Sequence, residues 1–249
     1  MKKLIFKIFL AVFGVGFVIC GVLALLVYQG IIWFVNPSEK EYPVRGVDVS
    51  VYQGEINWDI LASQNIDFAF IKATEGSDFV DEKFTQNWND SQKTSLKIGA
   101  YHFFSFDSEG KTQADNFIRT VPKFNGMLSP VIDLEFYKNH EKKPPAAEKV
   151  KQELEIFIDE IKKIYGVNPI IYVMTSTYDL YIKNDFADCP IWYRSITKKP
   201  ILSDGRSWDF WQYSPRGRLK GYEGQEKYID LNVFSGNEEN FEKMFGKNK

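Results

Sequence analysis

The sequence predicts an α/β protein in which one transmembrane helix precedes a single irregular β/α barrel with fewer helices toward its C-terminal part. Two observations predict this. Apolar runs rich in β-formers alternate with helical patterns over residues 44–245, and such alternation is typical of βαβ units around a parallel sheet. A long uncharged apolar stretch comes before them. With 249 residues, the chain has room for one domain of this kind.

Residues 1–35 are predicted to form a short cytoplasmic N-terminus and a membrane anchor. The uncharged stretch Ile8–Phe34 exceeds the roughly 20 residues needed to span a bilayer. The apolar core of a secretory signal has only roughly 7–15 residues, so an uncleaved anchor is favoured over a cleaved signal. Lys2, Lys3 and Lys7 precede the span, which predicts a cytoplasmic N-terminus and a barrel outside the membrane, in a periplasmic or extracellular space.

Residues 36–43 are predicted to be a polar linker, and residues 44–245 the barrel domain. Eight strands are predicted: Val44–Ser50, Phe68–Ala73, Ile98–Phe104, Ser129–Phe136, Pro169–Thr175, Pro190–Arg194, Trp208–Tyr213 and Tyr228–Val233. Helices are predicted at Asn57–Gln64, Glu82–Ser95, Glu109–Val121, Ala146–Ile164 and Thr177–Asn184. Eight strands favour a closed, TIM-like barrel. The last three strands follow each other too closely for full helices between them.

Charge and cysteine content exclude some classes of protein. Beyond residue 34 the chain has 28 basic and 33 acidic residues, which is not the basic surface of a nucleic-acid-binding protein. The two cysteines are Cys20, inside the apolar segment, and Cys189, so no disulfide framework is expected. Nothing in the sequence indicates an oligomeric state.

Four acidic residues lie on predicted strands where a barrel carries its catalytic groups. Such groups lie at the C-terminal ends of the strands. Asp48 ends the first predicted strand, Asp133 and Glu135 lie on the fourth, and Asp230 lies on the last. Because residues i and i+2 of a strand face the same side, Asp133 and Glu135 are predicted to project together.

A close pair of carboxyl groups suits one kind of chemistry in particular. Two neighbouring carboxylates cannot both ionise freely, so one pKa rises. Glycoside hydrolysis uses a carboxylic acid that protonates the leaving oxygen beside an ionised partner that stabilises positive charge on the sugar. The motif alone is also compatible with two solvated acids or with an ion pair to Lys72.

Several stretches together resemble one family, the family 25 glycoside hydrolases or Chalaropsis-type lysozymes. The similarity covers about residues 44–240, in order. It rests on Gly46-Val47-Asp48-Val49-Ser50-Val51-Tyr52-Gln53-Gly54, Phe70-Ile71-Lys72-Ala73-Thr74-Glu75-Gly76, Gly99-Ala100-Tyr101-His102-Phe103, Asp133-Leu134-Glu135, Ile171-Tyr172-Val173, Ile191-Trp192-Tyr193, Trp211-Gln212-Tyr213 and Asp230-Leu231-Asn232-Val233-Phe234.

The resemblance implies cleavage of the β-1,4 bond between N-acetylmuramic acid and N-acetylglucosamine in peptidoglycan. It implies Glu135 as the general acid, Asp133 as the group that orients or stabilises the reacting N-acetyl group, and Asp48 and Asp230 in the same cleft. No metal or organic cofactor is implied. Retention assisted by the substrate's 2-acetamido group is a hypothesis, because side-chain rotation allows either retaining or inverting carboxyl separations.

Five further residues are predicted to contact the glycan, and Arg194-Ser195 departs from the family pattern. The aromatic residues Tyr101, Tyr172, Trp192 and Trp211 are candidates for stacking on sugars, although each also suits core packing. Gln212 is a candidate hydrogen-bond donor to an acetamido oxygen. The departure at Arg194-Ser195 affects the expected sugar contacts on that side rather than the catalytic acids.

Three alternative functions remain open from the sequence. Four acids are a possible ligand set for Mg²⁺ or Ca²⁺ in a metal-dependent hydrolase, although no histidine or phosphate-binding glycine loop accompanies them. A membrane-tethered, non-catalytic peptidoglycan-binding module does not need a paired acid. A purely structural membrane protein leaves the acid pair unexplained.

Overall fold

The structure, a computed structural model, describes residues 2–245 and divides the chain into two compact units between Phe34 and Val35. The first unit contains α1 (Lys2–Tyr28), whose apolar side chains are exposed. By length and composition, Lys3–Tyr28 can cross a membrane. The helix ends before the uncharged stretch does, because the chain turns at Gly30, whose φ of 60° is favourable only for residues such as glycine.

The second unit is a closed barrel of eight strands, as predicted. They are β1 (Arg45–Val49), β3 (Phe68–Glu75), β5 (Lys97–Phe103), β6 (Val131–Leu134), β7 (Ile170–Val173), β8 (Ile191–Arg194), β9 (Phe210–Gly217) and β11 (Ile229–Phe234). Pairing of β1 with both β3 and β11 closes the barrel. Three short strands that the sequence patterns did not predict are β2 (Glu55–Ile56), β4 (Phe79–Val80) and β10 (Tyr222–Glu223).

The predicted helices are present with shifted ends. They are α2 (Trp58–Ala62), α3 (Phe84–Ser91), α4 (Gly110–Thr120), α5 (Ala147–Tyr165) and α6 (Thr175–Thr177), the last followed by a π-helical turn, Tyr178–Ile182. Within the described residues, no helix lies between β8 and β11, which confirms the reduced helix content of the C-terminal part. An additional helix, α7 (Glu238–Phe245), was not predicted.

The parallel sheet that the βαβ pattern predicts is present except at the last strand. β11 runs antiparallel to both of its neighbours, β9 and β1, whereas the other adjacent barrel strands are parallel. A parallel connection needs a crossover of a dozen or more residues, usually through a helix. Only residues 218–228 join β9 to β11, and no helix is among them, so the chain returns in the opposite direction.

Inward-facing aromatic side chains fill the barrel below its C-terminal mouth. On β3, Phe68 and Phe70 alternate with residues that face the helices, as the two-residue period of a strand requires. At the opposite end, α7 closes the barrel, and its side chains pack on the interior rings. These contacts join Phe241 and Phe245 to Phe68, Phe210 and Phe234 at centroid distances of 5.2–6.4 Å. The side chains of α7 therefore cover the end of the barrel opposite its C-terminal mouth.

Residues 36–43, the segment predicted to be a polar linker, include side chains that pack on the barrel. Tyr42 is 4% exposed and contacts the Trp208 and Trp211 rings at centroid distances of 5.9 and 6.0 Å. Glu41 forms an ion pair of 3.0 Å with Lys199. The packing of Tyr42 could not be predicted from the sequence, because the segment around it is rich in charged residues and proline.

Candidate active site

All four acids selected from the sequence line one cavity of about 460 Å³ at the mouth of the barrel. The elements that carry them are far apart in the chain and meet because the strands close into a ring. The predicted residues that line the cavity are Asp48, Asp133, Glu135, Asp230, Tyr101, Tyr172, Trp192 and Gln212.

Asp133 and Glu135 project into the cavity from the same side of β6, as their spacing predicts. Asp133 is the third residue of the strand and is 9% exposed. Glu135 lies one residue beyond the hydrogen-bonded strand rather than within it, and it is partly exposed. The intervening Leu134 is fully buried on the other face. The strand alternation therefore persists long enough to bring both carboxyl groups together.

Burial raises the pKa of both carboxyl groups in this pair. For Asp133 the pKa lies well above its ordinary range, first because of burial and next because of the charge on Glu135. For Glu135 burial is again the largest cause, and the positive charge of Arg194 opposes it. Such a pair gives up its protons in two coupled steps and retains a proton to higher pH than isolated carboxyl groups do.

One oxygen of this pair lacks a protein partner. Within residues 2–245, Asp133 Oδ1 is buried and accepts no hydrogen bond. An unpaired buried acceptor lowers stability. Because Asp133 lines the cavity, a ligand in the cavity can supply the missing donor.

Asp48 is held by two amide side chains, each supported by an aromatic residue. Its Oδ2 accepts hydrogen bonds from Gln212 Nε2 at 2.9 Å and Asn232 Nδ2 at 2.7 Å. Tyr172 donates its hydroxyl to Gln212 Oε1 at 3.0 Å, and Trp192 donates Nε1–H to Asn232 Oδ1 at 2.8 Å. These bonds favour the ionised form, but burial dominates and raises the pKa of Asp48 to about 6.

Asp230 reaches the cavity by a different route from the one predicted. It is the second residue of β11 and therefore lies near the start of its strand, not at the C-terminal end. Because β11 is antiparallel, its start lies at the same mouth, where Asp230 is directly opposite Asp48. Burial first, and then the charge of Asp48, raises the pKa of Asp230 well above its ordinary range.

Trp211 is outside the cavity, in contrast to the other predicted aromatic residues. Gln212 faces the interior, so its neighbour on β9 must face outward. Trp211 is 2% exposed, packs on Tyr42 and Trp208, and donates Nε1–H to the Ser195 carbonyl at 2.7 Å. The position of Trp211 therefore agrees with core packing, the alternative to a sugar contact that the sequence also allowed.

Several cavity residues were not selected from the sequence as site residues. Arg194 lines the cavity, and Asn232 donates a hydrogen bond to Asp48, which also lines it. They lie two positions from Trp192 and Asp230, so the strand period that paired Asp133 with Glu135 also predicts their orientation. Loop residues that line the cavity carry no comparable periodic signal in the sequence, and Tyr52, Gln53 and Glu226 are of this kind.

His102 is adjacent to cavity residues in sequence but lies behind the sheet. It is fully buried, with Nδ1 2.7 Å from Thr74 Oγ1 and Nε2 3.1 Å from Gln113 Oε1. Burial lowers its pKa to about 4, so the ring is neutral. No cluster of three or more His, Cys, Asp or Glu side chains suited to holding a metal ion occurs among residues 2–245.

Comparisons with known proteins agree with this geometry. Residues 47–222 match the model of glycosyl hydrolases family 25. Lysozyme M1 of Streptomyces globisporus is 30% identical over 207 residues, which cover 78% of this chain and 68% of that protein. The protein YegX of Escherichia coli O157:H7 is 34% identical over 217 residues, which cover 85% of this chain and 77% of YegX.

A solved structure extends the similarity to three dimensions. A family 25 glycosyl hydrolase from Bacillus anthracis is 55% identical and superposes with a TM-score of 0.80, covering 84% of this chain and 96% of that one. The family match spans most of the barrel, whose mouth is lined by several carboxyl groups. The chain therefore belongs to glycosyl hydrolase family 25 and is a glycosidase.

Proposed function

We propose that this protein is a muramidase that cleaves the β-1,4 bond between N-acetylmuramic acid and N-acetylglucosamine in peptidoglycan. The observation that carries the proposal is the pair Asp133 and Glu135, which faces a cavity of about 460 Å³ from one strand. The lysozyme name of the Streptomyces globisporus relative supports peptidoglycan as the substrate.

Glu135 acts as the general acid. It is the more exposed member of the pair, so it can reach a glycosidic oxygen in the cavity. Its raised pKa keeps the side chain protonated closer to neutral pH. Transfer of that proton to the leaving oxygen accompanies cleavage of the bond from the anomeric carbon, and the new sugar hydroxyl leaves.

Asp133 assists through the substrate's 2-acetamido group. Its unpaired Oδ1 can accept the acetamido N–H, which turns the acetamido oxygen toward the anomeric carbon. That oxygen then bonds to the anomeric carbon as the leaving oxygen departs, and a cyclic oxazolinium forms. Water, deprotonated by Glu135, opens the ring and restores the acetamido group with retained configuration.

Asp48 supplies negative potential at the mouth, where it lies directly opposite Asp230. The amide groups of Gln212 and Asn232 fix Asp48 by two hydrogen bonds, so its carboxylate is oriented before substrate enters. A fixed carboxylate near a sugar that develops positive charge stabilises the transition state with little reorganisation.

Release of reducing ends from purified peptidoglycan tests these roles. With the full chain in detergent, Glu135→Gln should lower the rate by roughly 10²–10⁴-fold because the general acid is removed. Asp133→Asn should also lower the rate, whereas Glu155→Gln, which changes an exposed acid on α5, should not. Products should end in N-acetylmuramic acid. Binding of peptidoglycan without any release would instead identify a non-catalytic binding module.

The anomeric configuration of the first product tests substrate assistance separately. Retention predicts the β-anomer immediately after cleavage, as read by proton NMR before mutarotation. An α-anomer as the first product would exclude the acetamido route and leave Asp133 as a base for water.

We further propose that α1 is an uncleaved anchor with the barrel outside the membrane. The length and composition of Lys3–Tyr28 support a span, and the lysines at its N-terminal side support a cytoplasmic N-terminus. A wall-degrading barrel must meet its polymer outside the cytoplasm.

A further inference from the structure

Arg194 lines the cavity, but the mechanism proposed for the four acids assigns no role to it. It is the last residue of β8 and lies beside Gln212 of β9 in the sheet. It shares the inward face of β8 with Trp192 and lines the cavity at partial exposure. Its positive charge lowers the pKa values of Asp48, Glu135 and Asp230, so the guanidinium lies within electrostatic range of all three.

The guanidinium has most of its hydrogen-bonding capacity available. The one hydrogen bond described for it runs from Nη1 to the sulfur of Met174 at 3.4 Å, and sulfur is a weak acceptor. Among residues 2–245, no carboxylate oxygen lies within 4.0 Å of it. A guanidinium has five N–H donors in a planar fork. Arg194 can therefore bind an acceptor that enters the cavity.

The other cation that lines the cavity, Lys72, already forms an ion pair within the protein. Its ammonium lies 2.8 Å from Glu75 Oε2. It also lies 5.6 and 5.1 Å from the ring centroids of Phe79 and Phe103. Because a bound ligand would have to compete with these contacts, Lys72 is the weaker candidate for binding an anionic substituent.

The glycan strand offers one group that suits a guanidinium in an acidic cavity. N-acetylglucosamine and N-acetylmuramic acid differ only at the 3-oxygen, which is a free hydroxyl in the first sugar and carries a lactyl ether in the second. That group ends in a carboxylate, or in an amide carbonyl where a stem peptide is attached. The cavity carboxylates repel such a group, whereas a planar guanidinium attracts it and can hold both oxygens of a carboxylate.

We propose that Arg194 binds the lactyl carbonyl oxygens of N-acetylmuramic acid and thereby makes the cavity select muramic acid over N-acetylglucosamine. The inference rests on the proposed muramidase function and adds a specificity-determining residue to it.

The test compares two tetrasaccharides that differ only in their lactyl groups. One alternates N-acetylglucosamine and N-acetylmuramic acid with free lactyl carboxylates, and the other is chitotetraose. Kd for each is measured by calorimetry with the full chain in detergent, in a Glu135→Gln background that prevents cleavage. Adding Arg194→Met should raise Kd for the muramic ligand by roughly 10-fold to 100-fold and leave Kd for chitotetraose unchanged. Equal weakening of both ligands, or of neither, overturns the proposal.

Two matched variants separate recognition from general electrostatics. Arg194→Lys keeps the charge but loses the planar fork, so it should weaken the muramic ligand less than Arg194→Met does, again without effect on chitotetraose. Lys72→Met should change both Kd values by the same factor. A loss confined to the muramic ligand in Lys72→Met, with none in the Arg194 variants, would overturn the proposal.

Failure of this inference can be distinguished from failure of the proposed function. Reducing-end release is measured with Glu135 and Arg194 intact. If release is absent but the preference for the muramic ligand still depends on Arg194, the catalytic proposal fails and the recognition stands. If release occurs and the preference does not depend on Arg194, the recognition fails and the catalytic proposal stands.

Discussion

At the scale of single residues, the cavity concentrates carboxyl groups in a place that disfavours their charge. Burial is the largest cause of the raised pKa of Asp48, Asp133, Glu135 and Asp230. Each ionised carboxylate in this position lowers the stability of the folded barrel, because water solvates the same group better in the unfolded chain. The site thus gives up stability in favour of function.

Asp48→Asn should stabilise the protein at neutral pH. Burial raises the pKa of Asp48 from its ordinary value of 3.8 to about 6, so the folded state holds the proton more tightly than the unfolded state. Stability from this group is therefore lost as pH rises through the interval between those two values. Asparagine has no such proton, and its carbonyl can still accept from Gln212 and Asn232. We expect the free energy of unfolding near pH 7 to rise by at most about 3 kcal/mol.

Urea unfolding at several pH values checks this expectation. The difference between Asp48→Asn and the unsubstituted chain should shrink as pH falls from 7 and should vanish only below the ordinary pKa of 3.8, where the carboxyl group is protonated in both states. Glu155→Gln, an exposed change on α5, serves as the control and should show no such pH dependence. An Asp48→Asn protein that is less stable at every pH would show that its hydrogen bonds outweigh desolvation.

At the scale of elements, neighbouring parallel strands fit together because glycines lie beside large rings. Gly46 of β1 pairs with Phe68 of β3, and Gly99 of β5 pairs in register with Phe70. A β-carbon on Gly46 would lie 2.3 Å from Cε2 of Phe68, and one on Gly99 would lie 2.8 Å from the Phe70 ring. Each ring thus occupies the space that a side chain on the adjacent strand would need.

Gly46→Ala should therefore destabilise the barrel, and a smaller residue at position 68 should relieve the effect. Overpacking of a well-filled core lowers stability by roughly 1–3 kcal/mol. Phe68→Leu should also destabilise by itself, since Phe68 is fully buried. Together the two changes should cost less than the sum of their separate effects, because the leucine frees space beside the new methyl group.

Chemical denaturation of the two single variants and the double variant measures this coupling. If the two changes in unfolding free energy are strictly additive, movement of β1 accommodates the alanine methyl group of Gly46→Ala, and the Phe68 ring does not oppose it.

At the scale of the whole molecule, one apolar helix is joined to a family 25 barrel in a single chain. The membrane location is predicted from α1, which exposes apolar side chains along its length. A surface of that kind requires a lipid or protein environment.

We expect the full chain to fractionate with membranes and to need detergent for extraction. If the barrel lies outside the membrane as proposed, a cysteine placed at the exposed position of Glu155 should react in intact cells with a maleimide that cannot cross the membrane. A cysteine in place of Lys3 should react only after the cells are opened. Recovery of a soluble protein that lacks the N-terminal segment would instead establish a cleaved signal.

Much of the site followed from local patterns in the sequence. The two-residue period of a strand predicted that Asp133 and Glu135 face one cavity, and the distribution of lysines and apolar residues predicted an apolar N-terminal helix. Helical spacing located α5 to within a residue at each end. These features depend on neighbours close in the chain, so a local pattern contains the information needed to predict them.

By itself, the sequence determined the eight strands and the reduced helix content between β8 and β11. It also identified the four acids that line the cavity. Only the tertiary structure decided the antiparallel direction of β11, which brings the start of a strand and Asp230 to the mouth. It also decided the burial of Trp211 outside the cavity, the hydrogen bonds that hold Asp48, and the position of the Arg194 guanidinium, whose one described hydrogen bond is to the sulfur of Met174. Each of these depends on which distant strands become neighbours and in what register, and ring closure sets that register rather than local residue spacing.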